Sequence, residues 1–154
     1  MAQSRQGGTS AGETHGHFFF FGSRVKPASA STDVWHIGGG GEAAVLGRFG
    51  IGTEVGGIPH GTAGGTVTVL SANGFYHPLG QHHRWFDPYA TAGISGLLYN
   101  SNQRAARPNA GAGVNCWLPR RHDDLAVGVE VRDVPAPAGG FGFLEVRLQI
   151  RVWQ

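Results

Sequence analysis

From Leu144 to Trp153 the chain alternates apolar residues with charged or amide ones. Successive side chains of a strand point to opposite faces, so Leu144, Val146, Leu148, Ile150 and Val152 form one aliphatic face. Glu145, Arg147, Gln149 and Arg151 form the other. The same period of two recurs along the chain. Leu125, Val127, Val129 and Val131 oppose Glu130 and Arg132; Phe49, Ile51, Thr53 and Val55 oppose Glu54; Trp35, Ile37, Ala43 and Val45 oppose His36 and Glu42. Ala110, Ala112, Val114 and Cys116 oppose Asn109, Gly111, Gly113 and Asn115. No segment of helical length carries an apolar stripe, and glycine is too dense for helices.

The pattern predicts eight strands: Thr14 to Lys26, Val34 to Val45, Phe49 to Val55, Thr66 to His77, Pro88 to Tyr99, Asn109 to Leu118, Leu125 to Val131 and Leu144 to Trp153. Gly56-Gly57 falls in a loop, and so does the polar run Asn100 to Pro108. The fourth strand changes phase at Val69-Leu70, which predicts a β-bulge there. Residues 1–13 lack periodicity and read as a disordered arm, leaving 14–154 as a single barrel domain.

Composition decides which way the faces point. Only 14 % of residues are Asp, Glu, Lys or Arg, against roughly 25 % in an ordinary soluble domain. Glycine supplies 27 of 154 residues. A soluble lipocalin-like barrel would place aliphatics inside and charges outside. Here the charges share faces with glycine, as Glu54 does with Gly50 and Gly52, which suits a narrow interior. The opposite faces of the third, seventh and eighth strands carry no charge, as contact with hydrocarbon requires, since an Arg there costs about 2–4 kcal/mol at the midplane. The fold class expected is all-β: an eight-stranded antiparallel up-and-down transmembrane β-barrel. Trp35, Tyr76, Tyr89, Tyr99, Trp117, Phe143 and Trp153 lie near strand ends and are expected in interfacial aromatic girdles.

Other classes fall away. The net charge of +2 comes with no basic cluster beyond Arg120-Arg121, so nucleic acid is not an expected partner. The uncharged stretch from Val55 to His83 is broken by Pro59, Pro78 and many glycines and cannot be a transmembrane helix. The first residues lack the apolar core of a secretion signal, so the chain is expected to be a mature form whose signal peptide has been removed.

The segments Trp35 to Glu42, Gly50 to Gly56, Leu70 to His77, Pro88 to Gly93, Asn109 to Trp117 and Val129 to Asp133 follow one another in a recognisable order. Together they resemble the outer-membrane β-barrel domain family, the small barrels like the transmembrane domain of outer-membrane protein A. The resemblance covers about Gly16 to Trp153. It implies a monomer in a Gram-negative outer membrane, with outer-membrane lipid around it, periplasmic termini and the barrel-assembly machinery as a partner. Such proteins commonly finish on an outward aromatic; here Val152 takes the outward phase and Trp153 is followed by Gln154.

The candidate site is the interior. Glu42, Glu54, Glu130 and Glu145 facing Arg132, Arg147 and Arg151 would form a lumen charge network, because an eight-stranded barrel has an interior that side chains can fill. One reading is an ionic plug that sets strand register; the other is a narrow ion path through rearranging pairs. His15, His17, His82 and His83 supply too few donors for a metal site, and no cofactor is expected. The Gly38 to Gly41 run lacks the strand–helix context and lysine of a phosphate loop. The lipid A deacylase barrels use a His–Ser pair on a late strand, where Val131 to Pro135 has neither residue. Ser95 and Ser101 have no base in the pattern. The function expected is a non-enzymatic integral outer-membrane barrel, structural or minimally conducting. The alternative is a binding protein, either a soluble barrel with a ligand cavity or a barrel whose exposed loops, with His60, Arg104 or Arg107, bind a partner.

Overall fold

The computed structural model describes residues 16–27, 33–59, 65–80, 85–99, 103–118, 125–136 and 142–153. The expected arm, together with His15, His60, His82, His83 and Ser101, lies outside them. Eight strands follow in order: β1 Gly16–Pro27, β2 Val34–Leu46, β3 Phe49–Ile58, β4 Val67–Tyr76, β5 Phe86–Tyr99, β6 Gln103–Trp117, β7 Leu125–Val134 and β8 Phe143–Trp153. Each pairs antiparallel with the next, and β8 pairs back onto β1 from His17↔Trp153 to Pro27↔Phe143, closing the barrel. Closure leaves no free sheet edge. The start of β1 and the end of β8 lie at one end of the barrel, called here the terminus side; the opposite end, toward which β1, β3, β5 and β7 run, is the loop side.

The faces are inverted relative to a soluble barrel. On β8, Leu148 is 64 % exposed and the adjacent Arg147 is 1 % exposed. The outward apolar surface runs around the wall through Phe18, Phe20, Ile37, Ile51, Leu70, Ile94, Val129 and Ile150. Arg132, Arg147, Arg151, Glu130 and Glu145 are among the most completely buried side chains of the molecule.

Three expectations about the strands are corrected. β3 continues through Gly56 and Gly57 to Ile58, in register with both β2 and β4. β4 has no bulge: its pairing with β3 and β5 is unbroken, Val69 faces inward and Leu70 outward. The apparent phase change arises because the inward face itself turns apolar toward the loop side, with Val67 and Val69 in place of Ser71 and Asn73. The register irregularity lies instead between Ala44 and Leu46, beside the turn in which Gly47 has φ 49°, a conformation that favours glycine. Finally, β6 begins at Gln103 and absorbs most of the expected polar loop. Pro108 is tolerated there because β6 pairs with β7 only from Ala110 onward, so its missing N–H is not required on that side. Pro88 likewise precedes the first β4 partner on β5, Ala90.

The aromatic girdle is also corrected. Trp35 and Tyr76 lie on the outer face. Tyr89 and Phe143, 3 % and 2 % exposed, share the inward phase of Asp87 and Glu145 and point into the barrel. Trp117 ends β6 in the phase of the inward Asn115 and is half-buried. The side chains of Tyr99 and Trp153 lie outside the described residues.

Candidate functional site: the ionic lumen

Each of the seven charged residues expected in the lumen is buried inside the barrel. Glu54 on β3 sits between two guanidinium groups. Arg147 reaches it with Nη1 to Oε2 at 2.9 Å and Nη2 to Oε1 at 3.1 Å, and Arg132 bonds it through Nη1. Each arginine is also held by the glutamate two positions before it on its own strand, Arg132 Nε to Glu130 at 2.5 Å and Arg147 Nε to Glu145 at 2.6 Å. Residues i and i+2 share a strand face, so β7 and β8 each deliver an ion pair into the lumen, and β3 supplies the carboxylate that links the two. Toward the terminus side, Arg151 donates to Glu42 at 2.9 Å and contacts His17. Its guanidinium lies 4.8 Å from the Tyr89 ring centroid and 5.1 Å from that of Phe19, so π faces meet much of the cation that carboxylates do not.

The pairing is wider than the seven residues. Tyr89 donates to Glu130 at 2.6 Å and accepts from Gln149 at 2.5 Å. Gln149 also bonds Asn115 at 3.2 Å, and Asn115 donates to Asp87 at 3.1 Å. His77 bridges Asp87 and Glu42, each at 2.8 Å. At the other end Glu145 accepts from Ser23 at 2.8 Å and meets His36 at 2.9 Å. One connected chain of polar contacts therefore runs from His77 through Asp87, Asn115, Gln149, Tyr89, Glu130, Arg132, Glu54, Arg147 and Glu145 to His36. The inward carboxylates Glu42, Glu54, Asp87, Glu130 and Glu145 outnumber Arg132, Arg147 and Arg151 by two, and His17, His36 and His77 stand where the deficit falls. His77 lies beyond the end of β4. Burial opposes its charge, but Asp87 and Glu42 outweigh burial and push its pKa up to about 9.

The pattern of residues pointed to the Glu/Arg set and missed His77, Asp87, Tyr89 and the role of Gln149. A parity signal existed: His77 continues the inward row Ser71, Asn73 and Phe75 one step past the strand, and Asp87 and Tyr89 precede the inward Thr91. The Gly38 to Gly41 run also finds its reason here. A Cβ at Gly40 would lie 2.8 Å from both Glu54 Cβ and the Phe19 ring, and one at Gly38 would lie 2.6 Å from the Phe21 ring. These inward glycines leave room for the rings against which the arginines stack, Arg147 being 4.2 Å from the Phe21 centroid. Among the described residues no group of three His, Cys, Asp or Glu is arranged to hold a metal ion.

Neither a protein-family model nor a curated protein sequence matches the chain. Solved structures do. The N-terminal β-barrel domain of Pseudomonas aeruginosa OprF superposes with a TM-score of 0.63 at 16 % identity, covering 89 % of this chain and 96 % of that one. This chain has the fold of the small outer-membrane barrels. A de novo designed transmembrane β-barrel gives 0.62 at 17 % identity over 90 % and 95 % of the two chains. Neisserial surface protein A gives 0.58 at 11 % identity over 90 % and 96 %. The expected resemblance is thus met in architecture, at identities where few interior residues need correspond.

Proposed function

We propose that the chain is a non-enzymatic integral barrel of a Gram-negative outer membrane, inserted as a monomer, that serves the envelope as a structural element with an occluded lumen. The observation that carries this reading is the inversion of its faces. An apolar wall around a buried ionic interior is stable where hydrocarbon surrounds the barrel, and the same wall in water would expose far more apolar surface than a soluble monomer carries. The fold neighbours support the location, and periplasmic termini fit it.

The lumen favours a structural role over a ligand cavity. The lumen glutamates are all engaged by arginine, histidine, tyrosine or serine groups. The buried network nitrogens left without a hydrogen-bond partner, Arg132 Nη2, Arg151 Nε and Nη2 and His36 Nε2, are scattered along the network rather than gathered into one ligand site. Among the described interior serines, Ser71 and Ser95 bond each other at 2.8 Å with Asn109 donating to Ser95 at 2.9 Å, and Ser23 donates at 2.8 Å to Glu145, a carboxylate already engaged by Arg147 and His36.

Refolding tests the proposal. The chain is expected to gain a β spectrum and heat-modifiable gel migration only in micelles or vesicles, and to remain silent in single-channel recording. Full β structure in plain buffer would remove the membrane assignment, and steady unit conductance would replace the structural role with that of a narrow pore.

A further inference from the structure

The polar network stops short of the loop side. There Val25 of β1, Ile58 of β3, Val67 and Val69 of β4, Leu97 of β5, Val134 of β7 and Phe143 of β8 form one buried apolar cluster, with Val34 of β2 and Ala105 of β6 packed against it. All eight strands contribute, so the cluster is a complete ring across the lumen. Ile58, Leu97 and Val25 are fully enclosed. The network ends against this ring at His36, whose imidazole meets the Phe21 ring edge-on at 4.9 Å and that of Phe143 at 6.3 Å. Arg107, in the inward phase of β6 near this level, is half-exposed where β6 runs past β7, and its Nη1 donates to the Ala106 carbonyl at 3.3 Å.

We propose that this apolar ring, and not the salt-bridge network, is the barrier that keeps the lumen closed to small hydrated ions. An ion entering the network exchanges water for carboxylate, guanidinium, amide and hydroxyl groups already in place. An ion entering the ring would lose its water and meet only aliphatic and aromatic carbon, which costs far more. Narrow apolar constrictions close by staying dry, with no side chain needing to move across the path. The inference rests on the membrane-barrel reading and adds to it the place where the seal lies.

Three refolded proteins, each checked for heat-modifiable migration, are compared in planar bilayers containing potassium chloride. Glu130→Gln/Arg132→Met breaks the network and leaves the ring intact. Val69→Thr/Leu97→Asn/Val134→Thr wets the ring at nearly constant volume and leaves the network intact. The unaltered chain and the network variant are expected to be silent, and the ring variant to pass current at least about tenfold above their baseline. If the triple ring variant shows no heat shift, Leu97→Ala alone opens the ring by volume and is scored the same way. A folded ring variant as silent as the unaltered chain, or a network variant that conducts with its ring intact, overturns the proposal. Failure of the unaltered chain to fold in micelles removes the membrane reading itself, which separates the two failures.

Discussion

At the scale of single residues, His77 is the most exacting placement in the lumen. It lies in the β4–β5 connection, where its N–H donates to the Arg48 carbonyl at 2.8 Å and its own carbonyl accepts from Gly80 at 3.0 Å. Those backbone bonds turn the ring into the terminus-side mouth, between Glu42 and Asp87. Its pKa is raised to about 9 from an ordinary value of 6.5, so the cation favours the folded state. That contribution is complete below pH 6.5 and is lost as pH rises through about 9. Urea unfolding in micelles should show the unaltered protein losing on the order of 2 kcal/mol between pH 6 and 10 relative to His77→Gln, whose own curve lacks this component. Parallel curves for the two proteins would contradict a charged His77.

The strands set how neighbouring residues of one type differ. Gly40 and Gly41 are adjacent on β2 and face opposite ways. Gly40→Ala places a methyl against Glu54 and Phe19 and should destabilise by about 1–3 kcal/mol, since overpacking forces neighbours off their rotamers. A Cβ at Gly41 meets Phe18 at an ordinary 3.4 Å, so Gly41→Ala should unfold within about 0.5 kcal/mol of the unaltered protein, as surface substitutions usually do. Unfolding midpoints in micelles check both. This alternation is also why most strands were legible in the sequence: a period of two with charge on one face is a local signal. The boundaries were less so. Gly56-Gly57, Pro108 and the run before it looked like loop because glycine, proline and polar residues normally mark turns, and only pairing partners on neighbouring strands show that they extend the ladder.

For the whole molecule the central quantity is the network's closure. Glu54, Glu130, Glu145, Arg132 and Arg147 come from three strands and compensate one another while buried inside the barrel, so removing one member leaves the others without their partner. Arg147→Met should cost about 3–5 kcal/mol, because Glu54 and Glu145 lose a shared partner, and adding Glu145→Gln to it should recover part of that loss rather than double it. Double-mutant unfolding cycles in micelles measure the coupling; strict additivity would mean the pairs act independently. The glutamates and arginines of this network were legible from alternation alone, because charge cannot face hydrocarbon. The neutral and connecting members were not, since Tyr89 near a strand end looks the same whether it faces lipid headgroups or Glu130. The sequence by itself determined the strand period, the inversion of faces and the set of glutamates and arginines inside, because each follows from which residue types tolerate lipid. Only the tertiary structure decided who pairs with whom, that His77 and Asp87 join them, and that an apolar ring closes the loop side. Those outcomes depend on register around a closed barrel, where residues from all eight strands meet at one level; along the chain His77 and Asp87 show only their parity with the inward rows, which does not say that they meet.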